Sequence, residues 1–289
     1  MRGNFTTPVT QDEVNLMVKM YKEGASAASI CQVLPYTPHT ILSHLRKQGI
    51  KIRGKGGYKH PFNERYFQTI DTEEKAYYLG FLMADGCVIE RVNSQPAIAL
   101  QLKDTDTYIL EHLKRELAID HKIEHDDNRG HSNLRLCSAT MAEDLKQYGI
   151  VPRKTGREIF PRTLIPDELC RHFVRGFFDG DGWITLTSSH GKPNRRLAIG
   201  FTGNEKMLND IKDYITENVY DLSNVSVFRY NDRSKGYDGF SSVTFAKLEA
   251  VVAIANWMYR DATILLTRKH NTYLSASLLI SSRLNQQPM

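Results

Sequence analysis

The sequence predicts an α+β protein: a tandem helix-strand-strand-helix-strand-strand-helix pseudo-repeat preceded by a small all-α domain. Three observations carry this. A nine-residue stretch, Tyr78-Leu79-Gly80-Phe81-Leu82-Met83-Ala84-Asp85-Gly86, returns ninety-six residues later as Val174-Arg175-Gly176-Phe177-Phe178-Asp179-Gly180-Asp181-Gly182. The order of elements after the first copy is repeated after the second. The residues before both copies have a different charge balance, with nine basic residues against three acidic ones through residue 62, while the remainder of this +5 chain is close to neutral.

Composition sets the frame. At 289 residues, with 41% hydrophobic and 25% charged content, the chain is long enough for about two globular domains. It has no run of eighteen apolar residues, and Met1-Arg2-Gly3-Asn4-Phe5-Thr6 lacks a signal peptide's apolar core. The expectation is a cytoplasmic, DNA-associated protein without a membrane segment. Cys31, Cys87, Cys137 and Cys170 show no C-x-x-C spacing and read as reduced thiols.

The N-terminal segment reads as three short helices. Thr10 with Glu13 forms a capping box, and Val14, Met17, Val18 and Tyr21 follow at helical spacing up to Gly24. A second helix is expected over Ala25 to Leu34, then a Pro35-Tyr36-Thr37-Pro38 turn, then a third over Pro38 to Gln48. The polar face of the third offers His39, Thr40, Ser43, His44, Arg46 and Lys47. This resembles a helix-turn-helix, whose recognition helix enters the DNA major groove. Residues 1–49 are therefore expected to bind DNA. Residues 50–61, basic and glycine-rich and including Arg53, read as a linker that can follow phosphates.

The larger region divides into halves at 62–152 and 153–289. In the first, a helix over Thr72 to Ala84 precedes strands near Val88 to Val92 and Ala97 to Leu102. A helix over Asp104 to Leu117, strands at His121 to Glu124 and Leu134 to Cys137, and a helix over Ala139 to Tyr148 complete it. In the second, a helix over Pro166 to Gly180 precedes strands at Trp183 to Thr187 and Leu197 to Phe201. A helix over Glu205 to Val219, strands at Val225 to Tyr230 and Ser242 to Phe245, and a helix over Lys247 to Tyr259 follow. A last helix is expected over Ala262 to Leu279.

The repeated stretch carries the chemistry. Gly80 and Ala84, like Gly176 and Gly180, are four apart and make a smooth helix face, so two backbones can approach closely. Gly86 and Gly182 suit the left-handed residue that ends a helix. Asp85 and Asp181 then sit at helix C-termini, the negative end of the dipole, where two neighbouring carboxylates are doubly disfavoured. A divalent cation between them resolves that conflict, and Mg²⁺, with Mn²⁺ as a substitute, accepts few carboxylates plus water and phosphate oxygens. Asp179-x-Asp181-Gly182 does not fit an EF-hand loop, because Trp183 occupies the third ligand position. His121 and His125 are four apart, but no cysteine or extra histidine stands nearby to complete a zinc set.

The two stretches resemble the paired motifs of single-chain LAGLIDADG homing endonucleases. The likeness extends to Gly149-Ile150-Val151-Pro152-Arg153-Lys154-Thr155 and to Asp261-Ala262-Thr263-Ile264-Leu265-Leu266-Thr267-Arg268-Lys269, and covers roughly Phe62 to Leu279. The resemblance implies two αββαββα halves joined along the motif helices, each presenting an antiparallel sheet to the major groove. It implies metal binding by Asp85 and Asp181, and a basic residue, Lys154 or Lys269, near each scissile phosphate. Met83, where the second copy has Asp179, falls at a mainly structural place. Asp104 is the candidate for positioning water in the first half; its counterpart lies near Gly203 or Asn204.

Strand alternation and charge nominate Arg91, Gln101, Lys103, Arg129 and Arg135 as DNA-facing in the first half, and Arg195, Arg196, Arg229, Arg233 and Lys235 in the second. The expected activity is sequence-specific double-strand DNA hydrolysis by a monomer, in an intron-encoded or free-standing homing enzyme of a mobile element. Two other readings stay open: an RNA-binding LAGLIDADG intron maturase, and a DNA-binding regulator that has lost cleavage.

Overall fold

The computed structural model describes residues 9–23, 25–52, 62–92, 94–188, 195–230 and 240–284. The chain separates into two compact units, Met1–His60 and Pro61–Met289.

Among its described residues the first unit holds three helices: α1 (Gln11–Lys22), α2 (Ala27–Ile30) and α3 (Pro38–Lys47). The Thr10–Glu13 capping box opens α1, and the Thr37 side chain caps α3 with Pro38 in its first turn. The second helix is shorter than periodicity suggests. Ser26 caps it and the chain turns after Ile30, so Leu34 is buried from a turn rather than from a helix. Met17, Tyr21, Ile30, Ile41 and Leu45 form the core, onto which Ile50 and Ile52 also pack. Tyr36 Oη donates to Glu13 Oε2 at 2.8 Å and ties the turn to α1.

The second unit is a repeat in fact. Its first half runs α4 (Glu73–Ala84), β1 (Cys87–Ile89), β2 (Ala97–Lys103), α5 (Thr107–Glu116), β3 (Glu124–Asp126), β4 (His131–Cys137) and α6 (Ala139–Lys146). The second runs α7 (Asp167–Asp181), β5 (Gly182–Ser188), β6 (Arg195–Gly203), α8 (Glu205–Asn218), β7 (Phe228–Arg229), β8 (Ser241–Phe245) and α9 (Leu248–Tyr259), and α10 (Thr267–Leu284) closes the chain. Each half forms a four-stranded antiparallel sheet, in the orders β1-β2-β4-β3 and β5-β6-β8-β7. One face of each sheet is apolar and packed, with Ile98, Leu100, Leu102, Leu134 and Leu136 in the first and Ile199, Phe201, Val243 and Phe245 in the second. The other face is open.

Other expectations change too: the strand expected at His121 to Glu124 falls at Glu124–Asp126, and that expected at Val225 to Tyr230 shortens to Phe228–Arg229. The last helix begins at Thr267 rather than Ala262, because the Leu266 N–H is committed to the Asp179 carboxylate and Asp261 has φ 58°. Neither Gly86 nor Gly182 is left-handed; Gly182 is extended at φ −90°, ψ 169°. Both are glycine for space: a Cβ at Gly86 would lie 2.7 Å from the Leu82 carbonyl oxygen, and one at Gly182 2.5 Å from that of Phe178. Among the described residues, no helix is long and apolar enough to cross a membrane.

Candidate active site and nucleic-acid face

The site is built on the seam between α4 and α7. A Cβ at Gly80 would stand 2.0 Å from the Phe173 carbonyl oxygen, and one at Gly176 1.9 Å from that of Tyr77. The helices therefore touch backbone to backbone, reciprocally. One turn further on, a Cβ at Gly180 would meet the Ala84 Cβ at 2.3 Å and Asp85 Oδ2 at 3.4 Å. Small residues at four-residue spacing thus bring the two helix ends together, with Asp85 as the C-cap of α4 and Asp181 as the last residue of α7.

The two carboxylates feel each other. Asp181 is pushed up to about 7, first by burial and then by Asp85, against the pull of Lys154. Asp85 keeps solvent access, yet the protein packed around the cleft displaces enough water to raise it too, with Lys269 and Lys154 opposing. Their hard oxygens suit Mg²⁺, which completes its shell with water and phosphate. No group of three or more His, Cys, Asp or Glu side chains among the described residues forms a closed metal site. The donor set fits an open cation site and does not fit a structural zinc site.

The structure brings Lys154 and Lys269 to the same place, both buried. Lys154 Nζ donates to the Ala84 carbonyl oxygen at 2.7 Å, at the end of α4. Lys269 Nζ donates to the Phe178 and Asp179 carbonyl oxygens at 2.6 and 2.8 Å, and to that of Gly182, at the end of α7. Each lysine thus donates to carbonyls at the end of a motif helix, where the dipole favours a cation. They differ in what remains: Lys269 has spent all three protons, whereas Lys154 has this one carbonyl bond. Burial lowers both ammonium pKa values, that of Lys269 to about 8.

Residues that motif reading did not weight surround this centre. Asp179, buried, accepts from Tyr77 Oη at 2.9 Å and from the Leu266 N–H at 2.7 Å. Arg175, fully buried, donates to the Ile264 and Met258 carbonyl oxygens, to His172 Nδ1 and to Glu73 Oε1. Glu158 is buried beside Lys154 and Asp181, accepting from the Gly156 N–H and from Asn204 Nδ2. The extra acid at the sixth motif place was the visible trace of the Asp179 network. Glu158 left no trace, because tertiary packing alone sets its neighbourhood.

The two candidates for positioning water are unequal. Asp104, exposed at the end of β2, accepts from Ser132 Oγ at 2.6 Å and faces His125 Nδ1 at 3.6 Å. Asn204 is a helix cap: its Oδ1 accepts from the Met207 N–H, and its Nδ2 donates to the carbonyl and carboxylate of Glu158.

Register sorts the nominated DNA contacts. Gln101 and Lys103 share the open face of the first sheet with Arg135, which is on the strand position opposite Ala99. Arg91 is exposed just beyond β1, and Arg129 is exposed in the β3–β4 turn, 3.8 Å from Asp126. On the second sheet, Arg196 pairs with Thr187 on the open face. Arg229 does not join it: opposite Ser241, it takes the register of the packed face at the sheet's edge. The β6 backbone includes Arg195, whose side chain lies outside the described ones, and Arg53, Arg233 and Lys235 lie outside the described residues. In the first unit, His39, Arg46 and Lys47 of α3 are exposed, while Thr40, Ser43 and His44 are partly buried.

No protein-family model and no curated protein sequence matches the chain. Solved structures do. The meganuclease I-SmaMI bound to uncleavable DNA aligns with TM-score 0.53 at 13% identity, over 74% of this chain and 92% of its own. I-GzeII, a LAGLIDADG homing endonuclease in complex with its DNA target, aligns with TM-score 0.54 at 10% identity, over 76% and 94%. The fold is that of the LAGLIDADG homing endonucleases. I-LtrWI, another LAGLIDADG homing endonuclease bound to target DNA, gives TM-score 0.51 at 12% identity over 78% and 92%, and I-SmaMI is also known bound to uncleaved DNA with calcium ions present. In this LAGLIDADG fold the paired motif helices are α4 and α7, and the four-stranded sheets flank them.

Proposed function

We propose that the chain is a sequence-specific, metal-dependent double-strand DNA endonuclease. It acts as a monomer, as the homing enzyme of a mobile element. The observation that carries this is the meeting of Asp85 and Asp181 at the ends of two helices in backbone contact. The DNA-bound state of the solved structures with this fold supports the substrate, and the calcium-containing complex supports a divalent cation.

Asp85 and Asp181 would hold Mg²⁺, or Mn²⁺ in its place. Bound there, such an ion supplies charge stabilisation to the phosphodiester and its leaving 3′ oxygen, and lowers the pKa of an attacking water. Asp181 would bind the ion as its carboxylate, losing to solvent the proton that burial and Asp85 favour when no cation is bound. Lys154 contributes the protons it does not give to Ala84, aimed at phosphate oxygen. Lys269 is a positioning residue: it fixes the end of α7 and so the direction of Asp181. The α1–α3 unit is a helix-turn-helix arm that adds affinity by tethering a second DNA contact to the first.

The test uses the full chain and DNA flanking its own gene, with Mg²⁺ or with EDTA. Both strands are cut with Mg²⁺ and neither with EDTA. Asp181→Asn abolishes cutting and retains binding. Lys154→Met stops the chemistry with folding intact. Cutting of both strands by Asp181→Asn refutes the metal assignment. Tight RNA binding, with no cutting of any flanking or intron-less DNA by the wild type, refutes the endonuclease reading in favour of a maturase.

A further inference from the structure

This inference rests on the endonuclease reading and concerns how the two halves of its target are recognised. The open faces of the two sheets differ in chemistry. The first carries hydrogen-bonding and charged groups, including Gln101, Lys103, Asn133 and Arg135. The second is apolar and threonine-rich. Its register puts Trp183, Thr185 and Thr187 of β5, Thr244 of β8 and Phe228 of β7 on one face, and Ser242 Oγ reaches Tyr230 Oη at 3.3 Å from that same face. Among the described residues, Arg196 is the one cation the register gives this face.

Phe228 and Tyr230 are unusual for a soluble edge strand. They are 64% and 45% exposed, with ring centroids 5.5 Å apart and planes at 84°. An edge strand that shows aromatic surface is ordinarily a liability, blunted by charge or covered by a partner. Trp183 is held rather than loose: its indole lies over Gly200, where a Cβ would come within 2.6 Å of Cζ2. It stands two residues after Asp181, at the end of β5 nearest the paired carboxylates.

In the major groove only thymine presents a methyl group, and Thr methyls and aromatic rings are its apolar partners. We propose that the open face of the second sheet reads thymine C5-methyl groups, so that one half of the target is thymine-rich while the other half is read through hydrogen bonds. Phe228 and Tyr230 serve the outer base pairs of that half, and Trp183 with Thr185 serves the inner ones.

The experiment selects bound duplexes from a randomised library with the full chain in EDTA. Deoxyuridine, which lacks only the methyl, then replaces thymidine in one half of the selected site at a time. Binding weakens about fourfold per deleted methyl in the thymine-rich half and does not change in the other. Phe228→Ser and Tyr230→Ser, exposed positions outside the core, remove that sensitivity for the outer bases, while Gln101→Ala leaves it in place. A selected site without a thymine cluster overturns the inference, as does one indifferent to deoxyuridine in both halves; in either case DNA recognition stands. A library that yields no enriched sequence removes the endonuclease reading together with the inference.

Discussion

The two halves of the second unit share a topology and differ in what fills it. In the first, the places matching Arg175, Asp179 and His172 are Leu79, Met83 and Ala76, all buried and apolar. In the second, those places form a buried polar network reaching α9, the start of α10 and, through Glu73, the first turn of α4. The three matching places are thus filled in two ways: by apolar packing in the first half, and by directional bonds to chain ends in the second. The polar side is the one followed by an extra helix. Asp179 accepts from Leu266 N, three residues before Lys269, and so fixes where α10 begins. In the first half Lys154 starts no helix of its own: it lies in the irregular connection 147–166 between α6 and α7.

The largest effect should come where the halves are alike. Gly80→Ala and Gly176→Ala each drive a methyl into a backbone carbonyl of the opposite helix, where no side chain can yield. Each should cost about 3 kcal/mol or more, read as loss of a cooperative urea transition in the second unit. Tolerance of either substitution at wild-type stability breaks the picture of a backbone-to-backbone seam.

Next come the positions where the halves diverge. Asp179→Leu strips the acceptor from the buried Leu266 N–H and Tyr77 hydroxyl, at about 1–3 kcal/mol for each orphaned donor. Met83→Leu, its counterpart, should stay under about 1.5 kcal/mol as a volume-conserving exchange. Equal losses in chemical denaturation would mean that the network is incidental.

The smallest effect appears only in acid. His172 Nδ1 accepts from Arg175, so its imidazole is folded in the neutral form, and burial followed by Arg175 depresses it from 6.5 to about 4. Between those values the unfolded chain binds a proton that the folded chain refuses, so stability rises with pH across the window and is lost as pH falls through it. After allowance for solvent screening the span is about 2 kcal/mol. His172→Asn should flatten the denaturation midpoint between pH 4 and 6.5. An unchanged slope would place the titrating group elsewhere.

Much of this was legible from spacing. The motif pair announced a helix seam because glycine-x-x-x-small is a local pattern whose meaning does not depend on the rest of the fold. The repeat announced the order of elements along each half for the same reason. What stayed hidden was set by partners distant in sequence. Arg229 alternates correctly within its own strand, but the face it takes is decided by pairing with Ser241. Gly86 and Gly182 were assigned to the wrong cause, since a helix-ending glycine and a sterically required one look alike in sequence. Asn204 and Glu158 sit 46 residues apart and bind each other, which no local pattern shows.

The seam also bears on how such a chain could have been assembled. Gly80 meets the residue matching Tyr77 in the other half, and Gly176 meets Tyr77 itself, so a pseudo-dyad runs between the helices as between the subunits of an isologous dimer. Two copies of either half could form the backbone contact. They could not form the rest. Leu169 matches Glu73, so doubling the second half would leave two buried guanidinium groups facing leucine; doubling the first would leave two Glu73 carboxylates without Arg175. The Glu73–Arg175 ion pair across the seam makes each half a key cut for the other, so that the two halves are not interchangeable.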